Sequence, residues 1–186
     1  MIKPESLILD VTAGNRMMWA HLQDKDSKYI MFTDKQEGLK VAPDIICNWR
    51  RLPFPDNRFL VVVFDPPHAW GFGVNSIHSD PMASEGSWWG NPSRRKELVL
   101  DMIHGQKEFA RVAPVLCFKW NDNCMSLERA LSCLTEWKEV FRKEVNSSGK
   151  LGKSKTWWIT MTSINSKSLG TSIKTKQKRI NPLLRA

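Results

Sequence analysis

The 186-residue sequence lacks the features that mark several common classes of protein. No apolar run approaches the roughly 20 residues of a membrane-spanning helix, and Asp10 interrupts the short apolar stretch near the N-terminus. We therefore expect a cytoplasmic protein without a signal peptide. The four cysteines and four histidines have no zinc-ligand spacing, so we expect reduced, structural thiols and no metal site.

Acidic residues are absent from the C-terminal part of the chain. Residues 147–186 contain nine lysines and arginines and no aspartate or glutamate, which accounts for the whole net charge of +9 and leaves residues 1–146 formally neutral. A basic segment beside a neutral domain favours a polyanionic partner such as nucleic acid. We predict one domain over residues 1–163 and a flexible basic tail over residues 164–186. The alternative is a solvated tail that only improves solubility.

An apolar run from Leu60 to Phe64 ends in an acid, two prolines and an aromatic ring. A run without polar alternation predicts a strand that is buried on both faces. The prolines force the chain out of the sheet and leave a backbone carbonyl facing outward. A carboxylate and a carbonyl can together accept hydrogen bonds from an exocyclic amino group, while the ring stacks on the heterocycle. We predict that Asp65, Pro66, Pro67 and His68 are catalytic; a plain strand stopped by a proline turn is the alternative.

A second motif lies upstream, where the strand Ser6–Asp10 runs through a small-residue turn into a helix start at Met17. Strand, tight turn and helix place backbone N–H groups where a ligand can approach closely. The turn has one glycine, Gly14, so close approach is assured at one position. An ordinary strand-to-helix connection is the alternative.

The remaining pattern alternates strands with helices, which is typical of an α/β doubly wound domain with a mostly parallel sheet and an antiparallel late strand. Asp34, at the tip of the second strand, is a candidate to bind ribose hydroxyls. The further predicted elements are strands at Tyr29–Phe32, Asp44–Trp49, Val115–Trp120 and Thr156–Thr162, and amphipathic helices at Pro92–Arg111 and Leu127–Val145. The second helix has Leu131, Leu134, Trp137 and Phe141 as its expected apolar face.

A long segment without sustained periodicity, residues 69–91, follows the predicted catalytic strand and contains Trp70, Trp88 and Trp89. Loops longer than about 15 residues are uncommon unless they serve as lids or binding loops. We predict that Trp70 contacts substrate, since aromatic side chains on such a loop can stack on an extruded base or wedge into a duplex. A small satellite core is the alternative.

Taken together, five motifs resemble those of small class I methyltransferases encoded by bacteriophages and prophages, over about residues 5–162. They are Thr12-Ala13-Gly14-Asn15-Arg16-Met17-Met18-Trp19, Leu52-Pro53-Phe54, Phe64-Asp65-Pro66-Pro67-His68, Phe118-Lys119-Trp120-Asn121 and Lys153-Ser154-Lys155-Thr156-Trp157-Trp158. The resemblance implies a Rossmann-like fold and S-adenosylmethionine as cofactor. By the same resemblance, Asp10, Thr12, Ala13, Gly14, Asp34 and Asn48 line the cofactor. Trp49 either stacks on its adenine or packs in the core.

The segment Asp65–His68 resembles the motif of amino-methyltransferases, which implies transfer of the methyl group to an exocyclic amino nitrogen of a nucleobase. Adenine N6 in DNA is our first choice. His68 departs from the Tyr, Phe or Trp of the best-known DNA enzymes, and no cysteine follows a proline as in C5-cytosine enzymes. The alternatives are an RNA amino-methyltransferase and a non-catalytic nucleic-acid-binding subunit. Lys119 and Lys155, near strand ends, are predicted phosphate contacts or else solvated lysines.

Overall fold

Seven strands form one sheet in the computed structural model, which describes residues 3–22, 27–66, 92–122, 125–145 and 155–164. The strands are β1 (Ile8–Asp10), β2 (Ile30–Asp34), β3 (Ile45–Ile46), β4 (Val61–Phe64), β5 (Val115–Asn121), β6 (Trp137–Val145) and β7 (Thr156–Ser163). Their order across the sheet is β3-β2-β1-β4-β5-β7-β6. The order reverses between β1 and β4, the position where open α/β sheets bind ligands.

Five neighbouring strands run parallel, and the last two pairings are antiparallel. β1 pairs with β2 on one side and β4 on the other, β2 pairs with β3, and β4 pairs with β5, all in parallel. β7 inserts antiparallel between β5 and β6. This arrangement confirms the predicted α/β doubly wound sheet with an antiparallel late strand.

The main core lies where helix α1 (Pro92–Val112) packs on the centre of the sheet. Met102 and Phe109 of α1 are fully buried. The ring of Phe64, at the end of β4, lies 4.9 Å from that of Phe109 and 5.8 Å from that of Phe118 on β5. Aromatic contacts therefore fix the end of β4 immediately before Asp65.

The predicted helix over Leu127–Val145 is wrong. Helix α2 spans only Leu127–Leu131, with Ser126 as its N-cap, and the chain then turns and forms β6 from Trp137 to Val145. Phe141, predicted to lie on the buried face, is 59% exposed on this edge strand.

Tertiary pairing explains the error. The buried residues Leu127, Ala130, Leu134 and Trp137 happen to follow helical spacing although the helix ends at Leu131. Beyond Trp137 the side chains are mostly exposed and charged, because β6 is an edge strand that pairs with β7 alone. A charged edge strand shows little alternation of apolar and polar residues. Its structure is therefore decided by pairing with a neighbouring strand and not by local propensity.

A smaller cluster of Ala13, Ile30 and Phe32, with Trp19 packed against it, supports the other side of β1 and β2. The predicted helix start at Met17 is a short 3-10 helix, Met17–Trp19. No helix in the described parts of the chain combines the length and apolar character that a membrane span requires. The seven strands make one sheet, while the tail predicted from residue 164 lies outside the described residues except for Ile164.

Candidate active site

Three carboxylates lie at the same edge of the sheet, because the carboxyl ends of parallel strands meet there. Asp10 is the last residue of β1, Asp34 is the last residue of β2, and Asp65 follows β4 directly. The register places Asp10 opposite Phe32 on one side and Val63 on the other. The structure thus brings together three of the predicted site residues.

The Asp10 carboxylate is fully buried and holds the first turn together. One oxygen accepts a hydrogen bond from the Thr12 backbone N–H at 3.0 Å, and the other accepts one from the Trp19 indole N–H at 2.6 Å. The pKa of Asp10 is raised to about 7: burial raises it most, the nearby negative charges of Asp65 and Asp34 add to this, and the hydrogen bonds from Trp19 and Thr12 act against it. Asp10 therefore supports the turn from beneath rather than presenting its carboxylate on an open surface.

Two residues of this turn have left-handed backbone conformations. Gly14 has φ +48°, and open space surrounds the position that a Cβ would take. Arg16 has φ +58°, a conformation that costs a non-glycine residue about 1 kcal/mol or more. Its side chain offsets this by donating to the Ala42 carbonyl at 2.6 Å and lying 4.1 Å from the centre of the Phe32 ring.

The tip of β2 is tied to the same turn. Asp34 accepts hydrogen bonds from the Gly14 backbone N–H at 2.9 Å and from the Gln36 backbone N–H at 2.9 Å. Ala13, which precedes Gly14, donates its N–H to the Thr33 carbonyl and is buried. The first turn and the predicted ribose ligand are therefore one hydrogen-bonded unit.

The tip of β4 is tied to the first turn through Thr12. The Asp65 backbone N–H donates to Thr12 Oγ1 at 2.9 Å. The Asp65 carboxylate accepts from Lys119 Nζ at 2.7 Å, and Lys119 lies on the adjacent strand β5. A hydrogen bond therefore links Asp65, the candidate acceptor for an amino group, to the turn after β1, the candidate cofactor site.

Asn48 and Trp49 lie beyond the short strand β3 and differ in exposure. Asn48 is exposed, and its side-chain oxygen accepts from the Arg50 backbone N–H at 2.9 Å. Trp49 is 5% exposed, and its ring lies edge-on to Phe64 at 4.9 Å. Gly105 of α1 lets the indole approach, since a Cβ there would lie 3.3 Å from Trp49. This is the core packing that the sequence left open as one of two roles for Trp49.

Lys155 lies at the start of β7, at the same edge of the sheet. Its backbone N–H donates to the Asp122 carboxylate at 2.6 Å, and its ammonium lies 3.3 Å from Glu144 and 5.7 Å from the Trp157 ring centre. Pro66 is the last described residue of the predicted catalytic motif and is buried. Pro67, His68 and Trp70 lie outside the described residues, so their roles stay predictions.

Two partners at this edge were missed by the sequence analysis. Trp19 bonds to Asp10 from nine positions along the chain, and no sequence signal points to that contact. Lys119 was predicted to bind phosphate, whereas the structure pairs it with Asp65. The strand order predicts this contact, because Phe64 and Phe118 are paired between β4 and β5, and Asp65 and Lys119 are the residues that follow them.

The chain matches no family model and no curated protein. A solved structure described as a SAM-dependent methyltransferase from Methanosarcina mazei superposes with a TM-score of 0.50 and 12% identity, over 87% of this chain and 94% of that chain. The chain has the fold of the Rossmann-like methyltransferases.

Two further solved structures superpose at lower TM-scores. The N-methyltransferase NodS from Bradyrhizobium japonicum has a TM-score of 0.45 and 11% identity, with 85% of each chain covered. The [4+2]-cyclase SpnF has a TM-score of 0.44 and 11% identity, over 84% of this chain and 74% of that chain. At identities of 11–12%, activity has to be argued from the residues of this chain.

Proposed function

We propose that the protein is an S-adenosylmethionine-dependent methyltransferase that acts on an exocyclic amino group of a nucleobase, with adenine N6 in DNA as its first substrate. The hydrogen bond between Thr12 Oγ1 and the Asp65 backbone N–H carries the proposal. It joins the turn after β1, where a cofactor can approach, to the acceptor carboxylate after β4.

The residues after β1 and β2 fit this cofactor in shape and charge. The open space beside Gly14 lets a ligand reach the backbone, and the Asp34 carboxylate retains acceptor capacity for ribose hydroxyls beyond its two backbone bonds. The Asp34 carboxylate gives this part of the edge a negative charge, which suits a ligand that carries a sulfonium and an ammonium group. Asn48, exposed beside this edge, offers a further amide for the adenine of the cofactor.

When bound, S-adenosylmethionine supplies an electrophilic methyl group on a sulfonium. Asp65 accepts a hydrogen bond from the target amino group and directs its lone pair away from ring conjugation. The Pro66 carbonyl is the proposed second acceptor, and His68 the proposed stacking partner. The sulfonium would supply the methyl group, while Asp65 and the Pro66 carbonyl would hold the amino nitrogen that receives it and loses one proton to solvent. Positioning supplies most of the acceleration.

The charge distribution supports a nucleic-acid substrate. The basic side chains of residues 147–186 are unbalanced by acid, so this part of the chain favours phosphate backbones. A target base inside a duplex has to be flipped out, and Trp70 is the proposed stacking residue for that state. RNA offers the same amino groups and phosphates, so it is the competing substrate in the experiment below.

The first experiment combines calorimetry and methyl transfer. We expect S-adenosylmethionine to bind the wild-type protein with measurable heat. Tritium-labelled methyl groups should transfer to DNA more than to RNA, and nucleoside mass spectrometry should identify N6-methyladenine. Absence of heat would favour a non-catalytic binding subunit, and transfer to RNA alone would replace the DNA assignment.

The Asp65→Ala variant tests the acceptor role. We expect methyl transfer to fall by at least about 10²-fold, because the amino group loses its positioned acceptor. Cofactor affinity should stay within a few fold. Asp56→Ala is the matched control, since Asp56 is also paired with a cation, Arg111, at 2.9 Å but lies before β4. Undiminished transfer in Asp65→Ala would remove Asp65 from the mechanism.

A further inference from the structure

Lys119 is held between two groups at the centre of the proposed active site. Its Nζ atom lies 2.7 Å from Asp65 Oδ2, and the two side chains are 27% and 18% exposed. On the neighbouring strand β7, Trp158 is in register with Lys119, and the Lys119 Nζ atom lies 5.9 Å from the centre of the Trp158 ring. A cation at this distance from an indole face is attracted to it.

This arrangement restricts the Asp65 carboxylate. The backbone of Asp65 is tied to Thr12, and its side chain is tied to a lysine that the β5–β7 pairing holds in place. The bond from Lys119 takes one of about four acceptor positions on the carboxylate. The ion pair therefore selects one orientation of the carboxylate.

We propose that Lys119 is a positioning residue for methyl transfer, which fixes the Asp65 carboxylate towards the target amino group. This inference rests on the proposed function and replaces the phosphate contact predicted from the sequence. Lys155 shows the contrast between the two lysines, because its ammonium is 55% exposed and its carboxylate partner Glu144 is 3.3 Å away. An exposed, loosely held ammonium suits phosphate, whereas a half-buried one aimed at Asp65 suits orientation.

The test compares Lys119→Met and Lys119→Arg with the wild type in methyl transfer. We expect Lys119→Met to lower kcat by about 10²-fold, since small displacements of a positioned group cost rates of that order. KM for DNA and the dissociation constant of S-adenosylmethionine should stay within about threefold. Lys119→Arg should recover most of kcat, because a guanidinium can also bond the carboxylate. Lys138→Met, an exposed lysine on β6, is the control and should behave as the wild type.

A double variant sharpens the test. Because Lys119 acts through Asp65, adding Lys119→Met to Asp65→Ala should lower kcat no further than Asp65→Ala alone. A phosphate contact would behave otherwise: KM would rise, the two changes would combine multiplicatively, and the slope of log affinity against log salt would flatten by about 0.9.

The possible failures can be told apart. Wild-type kcat in Lys119→Met, or the phosphate pattern, would overturn the positioning role while leaving the proposed function in place. A purely structural role would also overturn it, and would lower the melting temperature and cofactor affinity together with kcat. A wild-type protein that transfers no methyl group to DNA or RNA would overturn the proposed function, and this inference with it.

Discussion

The two edges of the sheet use charged side chains in different ways. At the amino edge, Arg111 donates five hydrogen bonds: two to Glu108, one to Asp56, and one each to the Leu52 and Phe54 carbonyls. At the carboxyl edge, Asp65 accepts one bond from Lys119 while the neighbouring carboxylates Asp10 and Asp34 bind backbone and indole N–H groups.

This difference separates a structural site from the proposed active site. Arg111 uses its whole guanidinium to hold the segment Leu52–Asp56 on the end of α1, and Glu108 also accepts the Leu52 backbone N–H at 2.8 Å. All five N–H groups of the Arg111 guanidinium donate within this network, so none is left to bind a ligand. The carboxyl edge instead places the acidic side chains of Asp10, Asp34 and Asp65 around one turn. Neighbouring acids disfavour the folded state, and such arrangements are typical of functional sites.

The largest effect on stability is expected at the amino edge. Arg111→Met should lower the free energy of unfolding by about 3 kcal/mol, because it leaves carbonyl and carboxylate groups without their donor. Denaturant unfolding measures this. Arg142→Met is the control, since Arg142 also pairs bidentately with an acid three residues earlier, Glu139, but on the exposed strand β6.

For Arg142→Met the expected loss is below about 1 kcal/mol, as for other exposed ion pairs. Arg111→Met should leave cofactor affinity and kcat within about threefold at temperatures where it is folded. Equal losses of stability in the two variants would contradict the distinction between the edges.

The second effect concerns pH and Asp10. Because burial raises the pKa of Asp10 to about 7, the folded state binds a proton that the unfolded state has released. Between about pH 4 and pH 7 this group therefore makes stability fall as pH rises, by at most about 1.4 kcal/mol per pH unit. Glu108 acts oppositely: its hydrogen bond with Arg111 lowers its pKa, so its contribution is lost as pH falls.

Asp10→Asn isolates the Asp10 contribution. The difference in unfolding free energy between the variant and the wild type should change steadily from pH 4 to pH 7, in favour of the variant as pH rises. Chemical denaturation at several pH values gives this difference curve. A flat curve would show that the Asp10 carboxylate stays ionised throughout this pH range and would contradict the raised pKa.

The most local test of the cofactor turn uses two glycines with positive φ. Gly14→Ala and Gly38→Ala should each cost about 1 kcal/mol of stability, since both positions are left-handed and neither Cβ would meet an atom within 4 Å. Only Gly14 lies in the proposed cofactor turn. Its variant should therefore weaken S-adenosylmethionine binding by about tenfold or more, whereas Gly38→Ala should bind within about twofold.

Isothermal titration of both variants measures this difference. Equal affinities for S-adenosylmethionine in the two variants would show that the open space beside Gly14 is not where the cofactor approaches, even if both proteins lose the expected stability.

How far the sequence predicts the structure varies along the chain. The continuous apolar runs before Asp10, Asp34 and Asp65 predicted buried parallel strands correctly, because a strand buried on both faces has a pattern independent of its neighbours. The segment Trp137–Val145 was predicted as a helix because an exposed edge strand has no such pattern.

The candidate site shows the same division. Acids at the ends of parallel strands can be predicted to share an edge, and the three aspartates do. Their partners cannot be predicted in the same way: Trp19 reaches Asp10 because a short 3-10 helix folds over the turn, and Lys119 reaches Asp65 because β5 pairs with β4.

The sequence by itself determined the alternating architecture, the acids at the strand tips and the uneven distribution of charge, since these depend on local pattern and composition. Tertiary structure alone decided that Lys119 pairs with Asp65, that Asp10 is buried beneath Trp19, and that residues 137–145 form a strand. The physical reason is common to all three: hydrogen bonds and burial between distant segments depend on which strands become neighbours, and one strand's own residues do not encode its neighbour.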